Sequence, residues 1–348
     1  MVAGLARHQA EEGHDVRIVT TMEEPPPSKK RSRHIATTHL KMFGSPRYPF
    51  AWGLKAAIAD ADVVHVHGID GLADQALTVR GPNTAVGVST HGGYLHTMDD
   101  WRFKQIFLRT WTRWSLRRAD AIWYTSPADR DALSPAQLPG AIVPNGVDIA
   151  PYRWAREHRE PERGLFLYLG RVDVHKGLDR LFRTLVEIKK KDPNPFTLEV
   201  VGPVTDASHM EAMETFGRAL GLRENLVWRG ALHRDDVVEL LARCELAFFP
   251  STHEGFGIAL VETMGAGVAP IAQDIPAHAE KVTDGEHGDL VDFDHPEETA
   301  NIIHQLRKRD RRKLEAAAAR RAEWFSWESV YPAWEKAYER MLEGRNPR

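Results

Sequence analysis

The sequence predicts an α/β protein made of two Rossmann-like domains in tandem, and three observations lead there. The chain has 348 residues, more than a single core usually holds before it splits, near ~250–300 residues. Both halves alternate short β-branched runs with helix-like segments, the pattern of parallel sheets covered by helices. Between the halves stands Asn145-Gly146-Val147-Asp148, a turn signal at the expected boundary. The expected division is a first domain over 1–148, a second over 149–325 and a closing helix over 326–348. Charge divides unevenly there too: 17 basic and 15 acidic residues in 1–148, against 29 and 34 in 149–348.

The first half opens on a helix-like segment, 2–12. Its strand candidates are Val16–Thr20, His34–Leu40, Val63–Val66, Ala85–Thr90, Ala121–Thr125 and Ala141–Pro144. Doubly wound domains usually begin with a strand and a Gly-rich turn ahead of that helix. Neither precedes residue 2, so a central strand of the first sheet is expected to be missing, leaving its neighbours with unpaired backbone groups. A truncated or misplaced start and a real loss both account for this. The segment Glu23–Arg33, with three prolines and four basic residues, reads as a surface loop. In the second half the candidates are Leu165–Leu169, Thr197–Val201, Leu226–Trp228, Leu246–Phe249, Val268–Ala272 and Asp289–Asp292.

Composition narrows the function. Apolar residues at 42% and charged residues at 27% exclude a mainly disordered chain. One cysteine, Cys244, excludes an internal disulfide framework and fits a reducing compartment. Cys244 itself, in an Ala-Arg-Cys-Glu helix end, reads as a packed small hydrophobe. No apolar run approaches the ~18 residues of a membrane span, and the N-terminus lacks a signal-peptide core. A formal charge of −3 argues against a dedicated nucleic-acid binder. A cytoplasmic protein is expected.

The densest cluster of chemistry is Pro250 to Glu262, P-S-T-H-E-G-F-G-I-A-L-V-E. An apolar strand runs into a loop whose Gly255 and Gly257 allow close backbone approach, and the helix after it offers free N–H groups to a phosphate. Glu254 and Glu262 are carboxylates able to accept hydrogen bonds from sugar hydroxyls; a surface loop with two solvated glutamates is an equal reading on spacing alone. A second cluster, Gly170 to Gly177, follows the first strand of the second domain. There Arg171 and Lys176 can hold a diphosphate, as a flat fork and a point charge, or stand as two solvated cations. It lacks the spacing of a Walker loop. A third cluster is Ser89-Thr90-His91-Gly92-Gly93-Tyr94-Leu95-His96-Thr97. His91 and two glycines at a strand end can approach a ligand closely; a lone histidine is more often structural.

Together these residues resemble the retaining glycosyltransferases of family 4. His91 after a first-domain strand, G-R-x4-K-G at Gly170–Gly177 and E-x7-E at Glu254–Glu262 stand in that family's order. Val143–Asp148 is similar to its inter-domain strand and Phe325-Ser326-Trp327-Glu328 to the start of its C-terminal helix, so the likeness covers almost the whole chain. The resemblance implies the GT-B fold, two Rossmann-like domains facing across a cleft, with the last helix packing back towards the first domain. It implies that Arg171 and Lys176 bind the donor diphosphate, that Glu254 contacts the donor sugar, and that Gly255, Phe256, Gly257 and Ile258 line the donor. Glu262 would bind the nucleotide ribose and His91 would sit beside the transferred sugar. The His91 run, the Arg/Trp-rich segment after it and Tyr124-Thr125-Ser126 resemble exopolysaccharide mannosyltransferases. These move mannose from GDP-mannose onto a polyprenyl-diphosphate-linked oligosaccharide, and Gly92, Gly93 and Ser126 would then shape the acceptor side. One departure is Asp274-Ile275-Pro276-Ala277-His278-Ala279-Glu280, in place of the commoner G-G-x-P-E loop.

Trp101–Arg118 holds six basic residues and no acidic one, with Phe103, Phe107, Trp111 and Trp114 on one helical stripe. Such a helix can rest on an anionic bilayer, as a peripheral contact near a lipid-linked acceptor, or be an ordinary domain helix with an apolar face. Asp60/Asp62, Asp129/Asp131 and Asp292/Asp294 match a D-x-D metal pattern, and His65/His67 a ligand pair without a third member; neither is weighted, and no metal or other cofactor is expected. Two rival functions keep the fold: a sugar phosphorylase, and a non-catalytic nucleotide-sugar binder. A family 4 transferase with a UDP-sugar donor is a third alternative.

Overall fold

The computed structural model describes residues 1–21, 35–45, 48–91, 106, 108–192, 194–308 and 310–344. It divides into two compact units, Met1–Gly146 with Trp327–Arg348, and Val147–Ser326.

In the first unit, β1 (Val16–Thr20) pairs in parallel with β2 (Ile35–His39) as a separate two-stranded sheet. β3 (Met42–Ser45) and β4 (Tyr48–Ala51) form an antiparallel hairpin that the sequence reading lacks. β5 (Val63–His67), β6 (Ala85–Ser89), β7 (Ala121–Tyr124) and β8 (Ala141–Ile142) form a four-stranded parallel sheet in that order. β6 is buried at every residue. Its Gly87 is obligatory, because a Cβ there would collide with the Trp123 ring. Trp123 in turn packs with Leu5, Val143, Trp327 and Trp334, which brings the helix Trp327–Glu343 onto this face. Val86, Val88, Ile122 and Tyr124 form the opposite core with Leu77 and Leu116.

The expected break in the first sheet is present. Among the described residues no strand pairs with β5 on the edge away from β6, nor with β1 on the edge away from β2. Yet Val19 of β1 shares an apolar cluster with Val64 and Val66 of β5. Every residue of β5 keeps some exposure, although the imidazoles of His65 and His67 are themselves largely enclosed. The segment Glu23–Arg33 lies outside the described residues.

The second unit is one six-stranded parallel sheet of β9 (Glu162–Leu169), β10 (Thr197–Val201), β11 (Leu226–Gly230), β12 (Cys244–Phe249), β13 (Ile271–Gln273) and β14 (Asp289–Val291). Its spatial order is β11-β10-β9-β12-β13-β14. Phe166 and Tyr168 of β9 point into one core with Phe182, Leu185 and Phe248. Leu167 points into the other with Ala247, Phe249 and Val261, the alternation that a sheet covered on both faces demands. The order reverses between β9 and β12, so the loops after these two neighbouring strands flank the crevice where such sheets bind ligands.

Cys244 is the packed small residue expected at a helix end: it caps the helix Arg234–Arg243 and opens β12, buried in the core, with burial pushing its thiol up to about 11. One local expectation is corrected. The strand expected from Val268 begins only at Ile271, after Pro270, which has no N–H to give a ladder.

Candidate functional site

Both switch-point loops carry the expected residues. After β9 the Tyr168 hydroxyl donates to the Arg171 carbonyl at 2.6 Å. Asp173 caps the turn Val174–Lys176 through the His175 amide. Gly177 then sits at φ +66, where a Cβ would collide with the Pro250 carbonyl oxygen. This glycine is therefore what lets the β9 loop lie against the β12 loop. Across that contact Lys176 Nζ donates to Glu254 Oε1 at 2.5 Å, and Ser251 Oγ donates to the same oxygen at 2.8 Å. Both Lys176 and Glu254 side chains are 14% exposed. Burial pushes the Glu254 carboxyl up, but Lys176, His278 and Ser251 together hold it below the ordinary range. Arg171 is exposed beside them in sequence and lends its charge to Asp173.

The Glu254 loop ends at Gly257, φ +79, which starts the helix Ile258–Gly265 with no side-chain cap. Uncapped first-turn N–H groups and the helix dipole favour an anion there. Phe256 turns inward, 6% exposed, against Phe325, so what it can offer a ligand is its backbone. Glu262, a turn inside the helix, is influenced by Tyr152, whose ring Arg234 covers. Burial pushes Glu262 up, with Tyr152 and Arg234 opposing. The two glutamates thus engage different partners.

Several site residues have no signal in the sequence. Arg180 is buried and ties the Pro250 carbonyl to Gln273 at 3.2 Å and Asp294 at 3.0 Å. Lys281, 1% exposed, places Nζ 4.2 Å from the Phe256 ring centre and donates to the Ala277 carbonyl; burial draws its ammonium down to about 8, against Glu280 and Glu254. His278 is buried, donating through Nδ1 to the Gln273 carbonyl at 2.8 Å. Both lie in or beside the divergent run 274–280, its departure from the commoner loop being the one available clue.

In the first unit His91 follows β6 at φ +46, a left-handed conformation unusual for a side chain of this size. Its Nε2 lies 3.0 Å from His67 Nδ1. Asp129 is buried and accepts from Thr90 and Thr125, fixing the ends of β6 and β7 beside it. Ser126 is buried as well, its hydroxyl accepting from the Asp129 amide as a helix cap. Gly92 and Gly93 lie outside the described residues, as do Trp101, Phe103 and Phe107. Trp111 and Trp114, exposed at 43% and 55%, lie with ring centres 5.1 Å apart and planes tilted by 43°, and Arg118 covers Trp114.

The D-x-D runs have structural partners instead. Asp60 pairs with Arg17, Asp129 holds the threonines, and Asp292 accepts from Gln273 and His295. Among the described residues no three His, Cys, Asp or Glu side chains gather as a metal site.

Residues 1–151 match the family model described as Glycosyltransferase Family 4, and 153–323 that of Glycosyl transferases group 1. A Xanthomonas campestris relative is 33% identical over 88% of this chain and 82% of its own length. The chain belongs to glycosyltransferase family 4. That relative is named GDP-mannose:cellobiosyl-diphosphopolyprenol alpha-mannosyltransferase, as is one from Komagataeibacter xylinus, 29% identical over 88% of this chain and 79% of its own length. Among solved structures, sucrose-phosphate synthase from Thermosynechococcus elongatus shares the glycosyltransferase's fold at TM-score 0.79 and 19% identity, over 98% of this chain and 92% of that one. The Anabaena protein HepE, solved with UDP and glucose, matches at TM-score 0.71 and 18% identity, over 94% and 100%. The fold is GT-B.

Proposed function

We propose that this glycosyltransferase moves mannose from GDP-mannose onto a polyprenyl-diphosphate-linked oligosaccharide in exopolysaccharide synthesis, with retained anomeric configuration and without a metal. The observation that carries the donor half is the Lys176–Glu254 pair, built where two loops meet at the sheet's switch point. Lys176 and Arg171 neutralise the diphosphate as it leaves, and the Gly257 helix start binds it through backbone N–H groups. Glu254, held ionised by Lys176, accepts from sugar hydroxyls, and Gly255, Phe256 and Ile258 contribute backbone. Glu262 holds the ribose, and His91 orients the sugar.

The mannose and acceptor half rests on the relatives. Those from Xanthomonas campestris, Xanthomonas oryzae and Komagataeibacter xylinus share one name, GDP-mannose:cellobiosyl-diphosphopolyprenol alpha-mannosyltransferase, and align with 88% of this chain. Ser126, Gly92 and Gly93 border the acceptor in this reading. Trp111 and Trp114 support peripheral contact with the bilayer that holds a lipid-linked acceptor; no helix among the described residues is long and apolar enough to cross it.

Isothermal titration with GDP, UDP and ADP, each with and without magnesium, tests the donor. GDP is expected to bind best and independently of magnesium. A preference for UDP would remove the mannosyl donor and leave the family in place. Binding that requires magnesium would overturn the metal-free reading.

A further inference from the structure

His65 and His67 lie on one face of β5, and the reaction as proposed leaves both unassigned. They are the innermost members of a stack of three rings. His65 is held at both nitrogens: Nδ1 lies 2.8 Å from the Tyr338 hydroxyl and Nε2 2.6 Å from Ser89 Oγ. Trp123 and Trp334 close around it, with ring centres 4.8 and 5.0 Å away. His67 lies against that fixed ring, centre to centre 3.9 Å. His91 lies against His67 at 5.3 Å with planes 28° apart, joined by the 3.0 Å contact from His67 Nδ1 to His91 Nε2.

Two uncharged imidazoles at that distance share one proton, one ring donating and the other accepting. Burial keeps both uncharged at neutral pH, drawing His67 down to about 3 and His91 to about 4. With Nε2 committed to His67, the nitrogen His91 has left for a ligand is Nδ1, and the His67 contact decides whether that nitrogen donates or accepts. The same contact helps to hold the left-handed backbone of His91, a conformation that persists only where its surroundings over-determine it. A strand-borne histidine backed by a helix is a rigid support for a loop-borne one.

We propose that His67 is a positioning residue: it holds the His91 ring and fixes its tautomer, with His65 and Tyr338 as the support behind it. The functional part rests on the reading that places His91 beside the transferred sugar.

His67→Phe keeps a ring against His65 and removes the nitrogen; His67→Asn keeps an amide near the position of Nδ1. Nitrogen-15 spectra of the His91 ring in the full chain read the tautomer directly. One tautomer is expected in the parent, an averaged pair of signals in His67→Phe, and a single form again in His67→Asn. With GDP-mannose as donor, His67→Phe is expected to lower kcat about tenfold while KM moves less than twofold, the loss of one orienting hydrogen bond. His67→Asn should recover most of that loss. A His91 spectrum unchanged in His67→Phe overturns the proposal. Full turnover in His91→Ala instead removes the sugar-side reading of His91 and the kinetic role of His67 with it, whatever the spectra show.

Discussion

In the second unit a single sheet runs unbroken from β11 to β14, and both faces of its central strand meet large apolar side chains. In the first, β1–β2 and β5–β8 are separate sheets, and the strand at the break carries two histidines where its counterpart β12 carries Leu246 and Phe248. The residues expected to bind the donor in the second unit lie in loops beyond its sheet, whereas the histidine cluster of the first is threaded into the sheet itself. The two halves of one fold should therefore respond differently to protons, to loss of a side chain and to exchange.

The largest difference expected is in acid. Burial, with mutual repulsion added, lowers His65 and His67, and burial lowers His91, below an unfolded value near 6.5. Between that value and the folded ones the unfolded chain binds more protons, so stability falls as pH drops below about 6.5. For His67 and His91 the loss by pH 5 is about 2 kcal/mol each, from about 1.4 kcal/mol per displaced unit. Among the described residues of the second unit, the comparably buried histidine lowered in the same way is His278. Thermal melting of the full chain should show a steep fall in Tm between pH 6.5 and 5, shallower in His65→Phe. A flat profile would mean that the three rings are solvated, and the contrast between the units would go with it.

Next in size is the Lys176–Glu254 contact. Lys176→Ala removes a charge-assisted hydrogen bond worth roughly 1.5–3 kcal/mol and should lower turnover by one to two decades. Because both partners stand on loops, melting should change far less than activity. Unchanged turnover would remove Lys176 from the diphosphate site. A collapse in melting temperature would make the pair a structural element of the second sheet.

How far the sequence carries follows the same division. The strands of the second unit stand out because leucine- and aromatic-rich runs such as Leu165–Leu169, between Gly164 and Gly170, and Leu246–Phe249, ahead of Pro250, are punctuated by glycine and proline. The β3–β4 hairpin does not, since Met42-Phe43-Gly44-Ser45 and Tyr48-Pro49 mix strand formers with the two residues strands disfavour. Lys176 and Glu254 are each visible within a motif, but their contact joins positions 78 residues apart. His67 and His91 are 24 apart, and only the pairing of β5 with β6 brings them together. Arg180, Tyr152 and Lys281 belong to none of these motifs; their contacts in the fold make them part of the site.

The smallest effect concerns the break itself and is read by hydrogen exchange. In a parallel strand, alternate residues direct their backbone groups to opposite neighbours. In β9, flanked by β10 and β12, the amides of Phe166, Leu167 and Tyr168 all face a partner strand and should all be protected. In β5, only residues facing β6 have a strand partner among the described residues. Protection there should alternate along Val63–His67, with the exposed set exchanging as an edge strand does. The difference is local and leaves global stability untouched. Uniform protection along β5 would mean that its second edge is paired in solution, and the two sheets would then be equally complete.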